Sequence, residues 1–218
     1  MRHASSVVTA ASGVVFAAAG IEHGVGEILQ GSVPPPALVF PSWPDSDFLR
    51  ILSGEPAMSI LPDMRATGLI TALVSLITIA WSFFLLRRER GALVQIALYL
   101  MLLLVGGGLA PPVMGIIIAA IAARGEAILA REKATATSRS LSSLARSWRF
   151  ALVLGVVGYL CLLPGVPLLY RLFHIESAAL IGFLALLSFG GLLVALLGAI
   201  AFDRYHVSLT KERPAGEV

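Results

Sequence analysis

The stretch Ala92–Ala123, ALVQIALYLMLLLVGGGLAPPVMGIIIAAIAA, decides how this chain folds. Its 32 residues carry no charge and exceed the roughly 20 that one upright helix needs to cross about 30 Å of hydrocarbon. At its centre stands Gly106-Gly107-Gly108-Leu109-Ala110-Pro111-Pro112. In a helix interior each glycine costs about 1 kcal/mol and each proline about 3 kcal/mol relative to alanine, so these residues read as a tight turn. The turn splits the stretch into two antiparallel segments, 92–105 and 113–130, whose far ends return to one side of a membrane.

Composition points to the same environment. Of 218 residues, 57% are hydrophobic and 13% charged, against about 25% charged in soluble domains. Mean hydropathy is +0.89. Sixteen basic and thirteen acidic side chains cannot clothe a soluble body of this size. The lone cysteine, Cys161, excludes a disulfide scaffold, and the basic excess is too small and unpatterned for a nucleic-acid binder. Fourteen of the sixteen basic residues are Arg in an Ala-, Leu- and Gly-rich body, which we read as the codon usage of a GC-rich prokaryote. The predicted fold class is all-α: a polytopic integral membrane helical bundle of five to six segments, its third hydrophobic stretch broken by Gly and Pro into a hairpin.

The charges divide the chain into a single membrane domain with spans near 5–30, 66–86, 92–105, 113–130, 150–169 and 177–202. Arg2 before an apolar run, with Ala17-Ala18-Ala19 following, also fits a secretory leader, but the segment is read as a retained first span. With six segments, thirteen of the sixteen Lys and Arg fall on one side, and only Arg50, Arg65 and Arg171 on the other. A five-segment arrangement, with the broken stretch as one kinked helix, divides them 11 to 5. The positive-inside rule therefore favours six segments with both termini cytoplasmic in an inner membrane.

The external loop, 31–65, holds Pro34-Pro35-Pro36, Pro41, Pro44, Pro56 and Pro62 together with Asp45, Asp47, Glu55 and Asp63. Ser46 is placed to cap a short helix carrying Phe48, Leu49, Ile51 and Leu52, stopped at Gly54. Phe40, Trp43 and Phe48 suit the membrane interface, so the loop reads as a cap on the bilayer surface or a lid over a site below. The cytoplasmic loop 131–149 ends in Arg146-Ser147-Trp148-Arg149, an anchor on anionic lipid. The tail, 203–218, reads as a frayed end, and Cys161 as a small apolar core residue.

Ionisable groups inside spans are costly and mark candidate sites. Only the first span gathers several: Glu22, His23 and Glu27 within Gly20–Gln30. His23 and Glu27, four apart, share a helix face, while Glu22 points about 100° away. The same face carries Gly13, Ala17, Gly20 and Gly24, a small-residue stripe that lets another helix, a second copy or a membrane partner approach closely. The hairpin topology brings the Gly106, Gly107, Gly108, Pro111, Pro112 turn and His174 to the same level. A polar pocket bounded by Glu22, His23, Glu27, His174 and that turn follows. A dry packing arrangement, with His23 bonded to a turn carbonyl, is the competing picture.

Carboxylates with imidazole can relay protons or hold a divalent cation such as zinc or manganese, with His23 and Glu27 as candidate ligands. No zinc-protease His-Glu-x-x-His, Gly-x-Ser-x-Gly elbow, phosphate loop or Cys-x-x-Cys occurs. The leading expectation is a proton- or cation-linked transporter of a small ion or solute. Behind it stand an accessory, sensor or assembly subunit docking through the glycine face, and a membrane-embedded metal-dependent hydrolase. The scarcity of polar residues in the other spans, chiefly Thr67, Thr71, Ser75, Thr78, Ser82 and Tyr159, weighs against a hydrated channel.

Overall fold

A computed structural model of the protein describes residues 4–47, 49, 52–86, 90–131 and 139–211. Arg2, Phe48, Arg50, Ile51, Arg87, Arg88, Lys133 and Arg213, which the sequence reading used, lie outside them. The fold is mostly helical: α1 (Ala4–Leu29), α2 (Met64–Ala80), α3 (Gly91–Val105), α4 (Ala110–Arg131), α5 (Arg139–Leu160), α6 (Val166–Phe173), α7 (Ala178–Ala185) and α8 (Gly191–Lys211). Single π-helical turns extend α2, join α5 to α6 and join α7 to α8. Four of the resulting helices, Ala4–Leu29, Met64–Phe84, Ser143–Phe173 and Ala178–Tyr205, are long and apolar enough to cross a membrane. Gly91–Val105 and Ala110–Gly125 are shorter apolar helices. The chain is a helical membrane protein.

On α2 burial is inverted relative to a helix of a soluble bundle. Thr67, Thr71, Ser75 and Thr78 are fully buried and Ser82 nearly so, whereas Leu69, Leu73, Leu76, Ile77, Phe83 and Phe84 face outward. Lipid is as apolar as leucine, so nothing drives those side chains inward, and close packing with hydrogen bonding assembles the helices instead. Helix α1 lies against α2, α4, α5 and α8. Its Phe16 is fully buried at the centre, edge-on to Tyr99 of α3 (6.5 Å) and Tyr159 of α5 (5.5 Å).

The glycine break separates α3 from α4, which pack on each other. Gly106 and Gly108 adopt φ of +110° and +84°, which only glycine enters without strain. Pro111 and Pro112 belong to the first turn of α4 rather than to the break, because a helix start has no use for their missing N–H groups. The freed carbonyls at the end of α3 find partners: Val105 O accepts from the Thr71 hydroxyl and Leu104 O from the Ile60 N–H at 3.0 Å. Satisfied in this way by protein, a broken backbone is tolerated at membrane depth.

Helical structure runs beyond the apolar stretches. Helix α5 starts at Arg139, inside the segment read as a loop, and Trp148 is buried against Phe202 of α8 rather than turned to lipid. Helix α8 continues through Asp203 to Lys211, where the sequence reading had a frayed tail. Cys161 is exposed on the π-helical turn after α5, not in the core. The proline-rich loop holds an element that no periodicity announced: β1 (Val39–Pro41) pairs antiparallel with β2 (Pro56–Met58). Phe40 of β1 is buried with Ala57 and Met64, and so is withdrawn from the interface.

Candidate functional site

The C-terminal end of α1, the β1–β2 cap and the glycine turn meet at one place. His23 and Glu27, one helical turn apart, are 3% and 0% exposed. The strand pair sets Ser42, just after β1, beside Glu55, just before β2, with the Ser42 N–H donating to Glu55 O at 3.1 Å. Gln30 ties α1 to the cap by donating its amide to Ser42 O at 2.9 Å. Asp63, another acid of the loop, instead caps α2 by accepting from the Ala66 N–H at 2.8 Å.

The Ser42 hydroxyl links His23 to Glu27. The Ser42 hydroxyl donates to Glu27 Oε1 at 3.3 Å and lies 2.8 Å from His23 Nδ1. A hydroxyl has one proton, so while Glu27 is ionised and accepts it, the proton of the histidine contact sits on Nδ1. Nε2 then carries a lone pair, and it faces Glu55 Oε2 at 3.3 Å. Two acceptors at that distance need a proton or another cation between them. Burial first, and then the neighbouring Glu22 carboxyl, push Glu55 up to about 9.

Glu22, His23 and Glu55 each bring one potential ligand atom within 4.8 Å of the others. With every carboxyl ionised, both Glu22 oxygens, Glu27 Oε2 and Glu55 Oε2 lack a donor among the described residues, while a proton on Glu55 lets it hydrogen-bond to Glu22. Two cavities flank the cluster. One of about 530 Å³ lies between α1 and α5, lined by Val15, Glu22, Trp43, Glu55 and Leu163. The other, about 270 Å³, is bordered by His23, Glu55, Pro111, Leu162 and Phe189. Tyr159 lines both, and its buried hydroxyl has no partner among the described residues. Glu55 itself has φ of +54°, a left-handed conformation unfavourable for a residue with a Cβ.

The turn fits closely against these groups. A Cβ on Gly106 would meet both Glu27 carboxylate oxygens, and one on Gly108 would stand 2.5 Å from His23 Nε2. Gly108→Ala is expected to destabilise the protein by about 1–2 kcal/mol through left-handed strain alone. Displacement of the His23 ring adds to that loss, which thermal unfolding in detergent measures. Gly107 packs on Leu102 of α3.

His174 is placed apart from this cluster. It is exposed at the C-terminus of α6 with φ of +54°, and its ring lies 6.2 Å from that of Tyr170. The small-residue face of α1 is covered within the chain: Gly24 meets Gly68 of α2 backbone to backbone, Gly20 meets Ser75, Gly13 meets Ser82 and Gln95, and Ala17 is fully buried. Against that face stand the buried hydroxyls of α2, spaced three and four apart down the helix. Thr78 and Ser82 donate to carbonyls one turn back, but among the described residues Ser75 Oγ has no partner, nor has Gln95 Nε2 beside Ser82.

Sequence reasoning missed Ser42, Glu55 and Tyr159 as site residues. Glu55 stood among four loop acids, and only the strand register separates it from Asp45 and Asp47, which are exposed. No protein-family model, characterised protein or solved structure matches the chain.

Proposed function

We propose that the protein is a cation-linked transporter of a small ion or solute in a prokaryotic inner membrane, with its site at the outward end of the first span. One observation carries the reading. Glu22, Glu27 and Glu55 are gathered with His23 beneath a cap, and among the described residues no lysine or arginine pairs with them. Buried carboxylates without a basic partner must be neutralised by a bound proton or metal ion. Intramembrane acids of this kind mark ion pathways. The flanking cavities supply room for a solute with apolar surface.

The proposed topology has six segments, α3 and α4 forming the antiparallel pair, with both termini cytoplasmic. The division of Lys and Arg supports it, as does the contact of Asp203 near the end of α8 with Ala4 at the start of α1. A reporter fused after Val218 is expected to lie in the cytoplasm.

Flux tests the reading. In proteoliposomes under an imposed proton or divalent-cation gradient, the wild type is expected to dissipate the gradient. Glu27→Gln keeps the acceptor for Ser42 while removing the charge, so it is expected to abolish that flux and leave the thermal midpoint nearly unchanged. A wild type that moves neither cation, although folded, overturns the proposal.

A further inference from the structure

We infer that Glu22, His23 and Glu55 form a binding site for one first-row divalent cation, zinc foremost, with its open coordination position toward the cavity lined by Tyr159. This deepens the transport reading, since it names the cation held at the same cluster, but binding is measured without flux.

His23 Nδ1 lies 2.8 Å from the Ser42 hydroxyl, itself 3.3 Å from Glu27 Oε1, and in the tautomer a metal on Nε2 requires, Nδ1–H donates to Ser42. Outer hydrogen bonding of this kind fixes the ring of a metal-bound histidine and leaves the other nitrogen free to ligate. That nitrogen, Nε2, points at Glu55 Oε2. Two ligands each about 2.1 Å from a tetrahedral zinc stand about 3.4 Å apart. The 3.3 Å between Nε2 and Glu55 Oε2 already matches, and the outer limit of 4.8 Å within the trio closes with side-chain rotation.

A second observation is independent of the acids. Tyr159, 4% exposed, lines both cavities together with Glu55, and its buried hydroxyl has no partner among the described residues. A water or solute on the metal's fourth position gives that hydroxyl a partner. One imidazole with two carboxylates suits zinc or manganese, while the nitrogen ligand disfavours calcium and magnesium. Glu27 serves through Ser42 as a positioning residue in this arrangement.

Calorimetric titration of the full chain in detergent with Zn²⁺, Mn²⁺, Mg²⁺ and Ca²⁺ tests the site. One equivalent of Zn²⁺ is expected to bind, Mn²⁺ more weakly, and Mg²⁺ and Ca²⁺ not measurably. Glu55→Gln and Glu22→Gln, which preserve shape, are expected to weaken Zn²⁺ binding by more than the 10–100-fold typical of an outer partner, and Ser42→Ala by about that range. His174→Ala and Cys161→Ser are expected to leave it unchanged. Zinc-edge X-ray absorption of the wild type, which needs no variant, is expected to show one imidazole among oxygen ligands and no sulfur.

Undiminished affinity in Glu55→Gln, loss in His174→Ala or a sulfur ligand overturns the inference. So does an absence of Zn²⁺ binding in the wild type, even where proton flux persists and the transport reading stands. Zn²⁺ binding with these variant effects but without flux upholds the site and removes the transport reading.

Discussion

Gly68→Val is expected to abolish the assembled bundle. Gly68 of α2 and Gly24 of α1 meet backbone to backbone, and a Cβ on Gly68 would fall on Gly24 O and within 2.8 Å of the Ile28 amide nitrogen. Neither obstacle is a side chain that can rotate away, so α1 and α2 must separate. Separation would strip Thr67, Thr71 and Ser75 of their close cover and pull Glu27 from Ser42. Overpacking alone typically costs about 1–3 kcal/mol, and loss of this interface takes the total beyond about 4 kcal/mol. The expected readout is aggregation or loss of the monodisperse peak in size exclusion. Gly182→Ala is the control: in α7, with nothing within 4 Å of the added Cβ, it is expected to be neutral or to stabilise by up to about 1 kcal/mol. Similar losses in both variants would mean that helix proximity is not what Gly68 provides.

Asp203→Ala should produce the second large loss. Asp203, 5% exposed in α8, accepts from the Ala4 N–H at 2.7 Å, the Ser5 N–H at 3.0 Å and the Ser5 hydroxyl at 2.6 Å. It therefore acts as the N-terminal cap of α1 from 199 residues away, and its charge also complements the positive end of the helix dipole. Hydrogen bonds to charged groups contribute about 1.5–3 kcal/mol each and do not add fully, so the substitution is expected to cost about 3 kcal/mol or more. Asp203→Asn keeps a carbonyl acceptor and is expected to lose less. Thermal unfolding in detergent ranks the two, and equal midpoints for wild type and Asp203→Ala would refute the capping role.

These two positions show where the sequence was legible. The spacing of Gly13, Gly20 and Gly24 announced a close helix approach, because a small-residue stripe needs only the 3.6-residue period to be recognised. It could not say that the approaching helix is α2 of the same chain, since Gly68 carries no sign of its partner. The grouping of Glu22, His23 and Glu27 was legible for the same local reason. Asp203, by contrast, looked like the first charge of a polar tail, and Glu55 like one acid among four.

The apolar solvent, the helical class and the break at Gly106–Gly108 are legible in the residues alone. These depend on hydropathy, on period and on backbone terms that each residue carries wherever it sits. That Glu55 and Ser42 join the cluster of α1, that His174 stands outside it and that Asp203 caps the first helix emerge from the folded chain. Those outcomes depend on strand register and helix packing between residues far apart in the chain. In an apolar solvent the choice of packing partner rests on shape and hydrogen bonding, which no local pattern of hydrophobicity encodes.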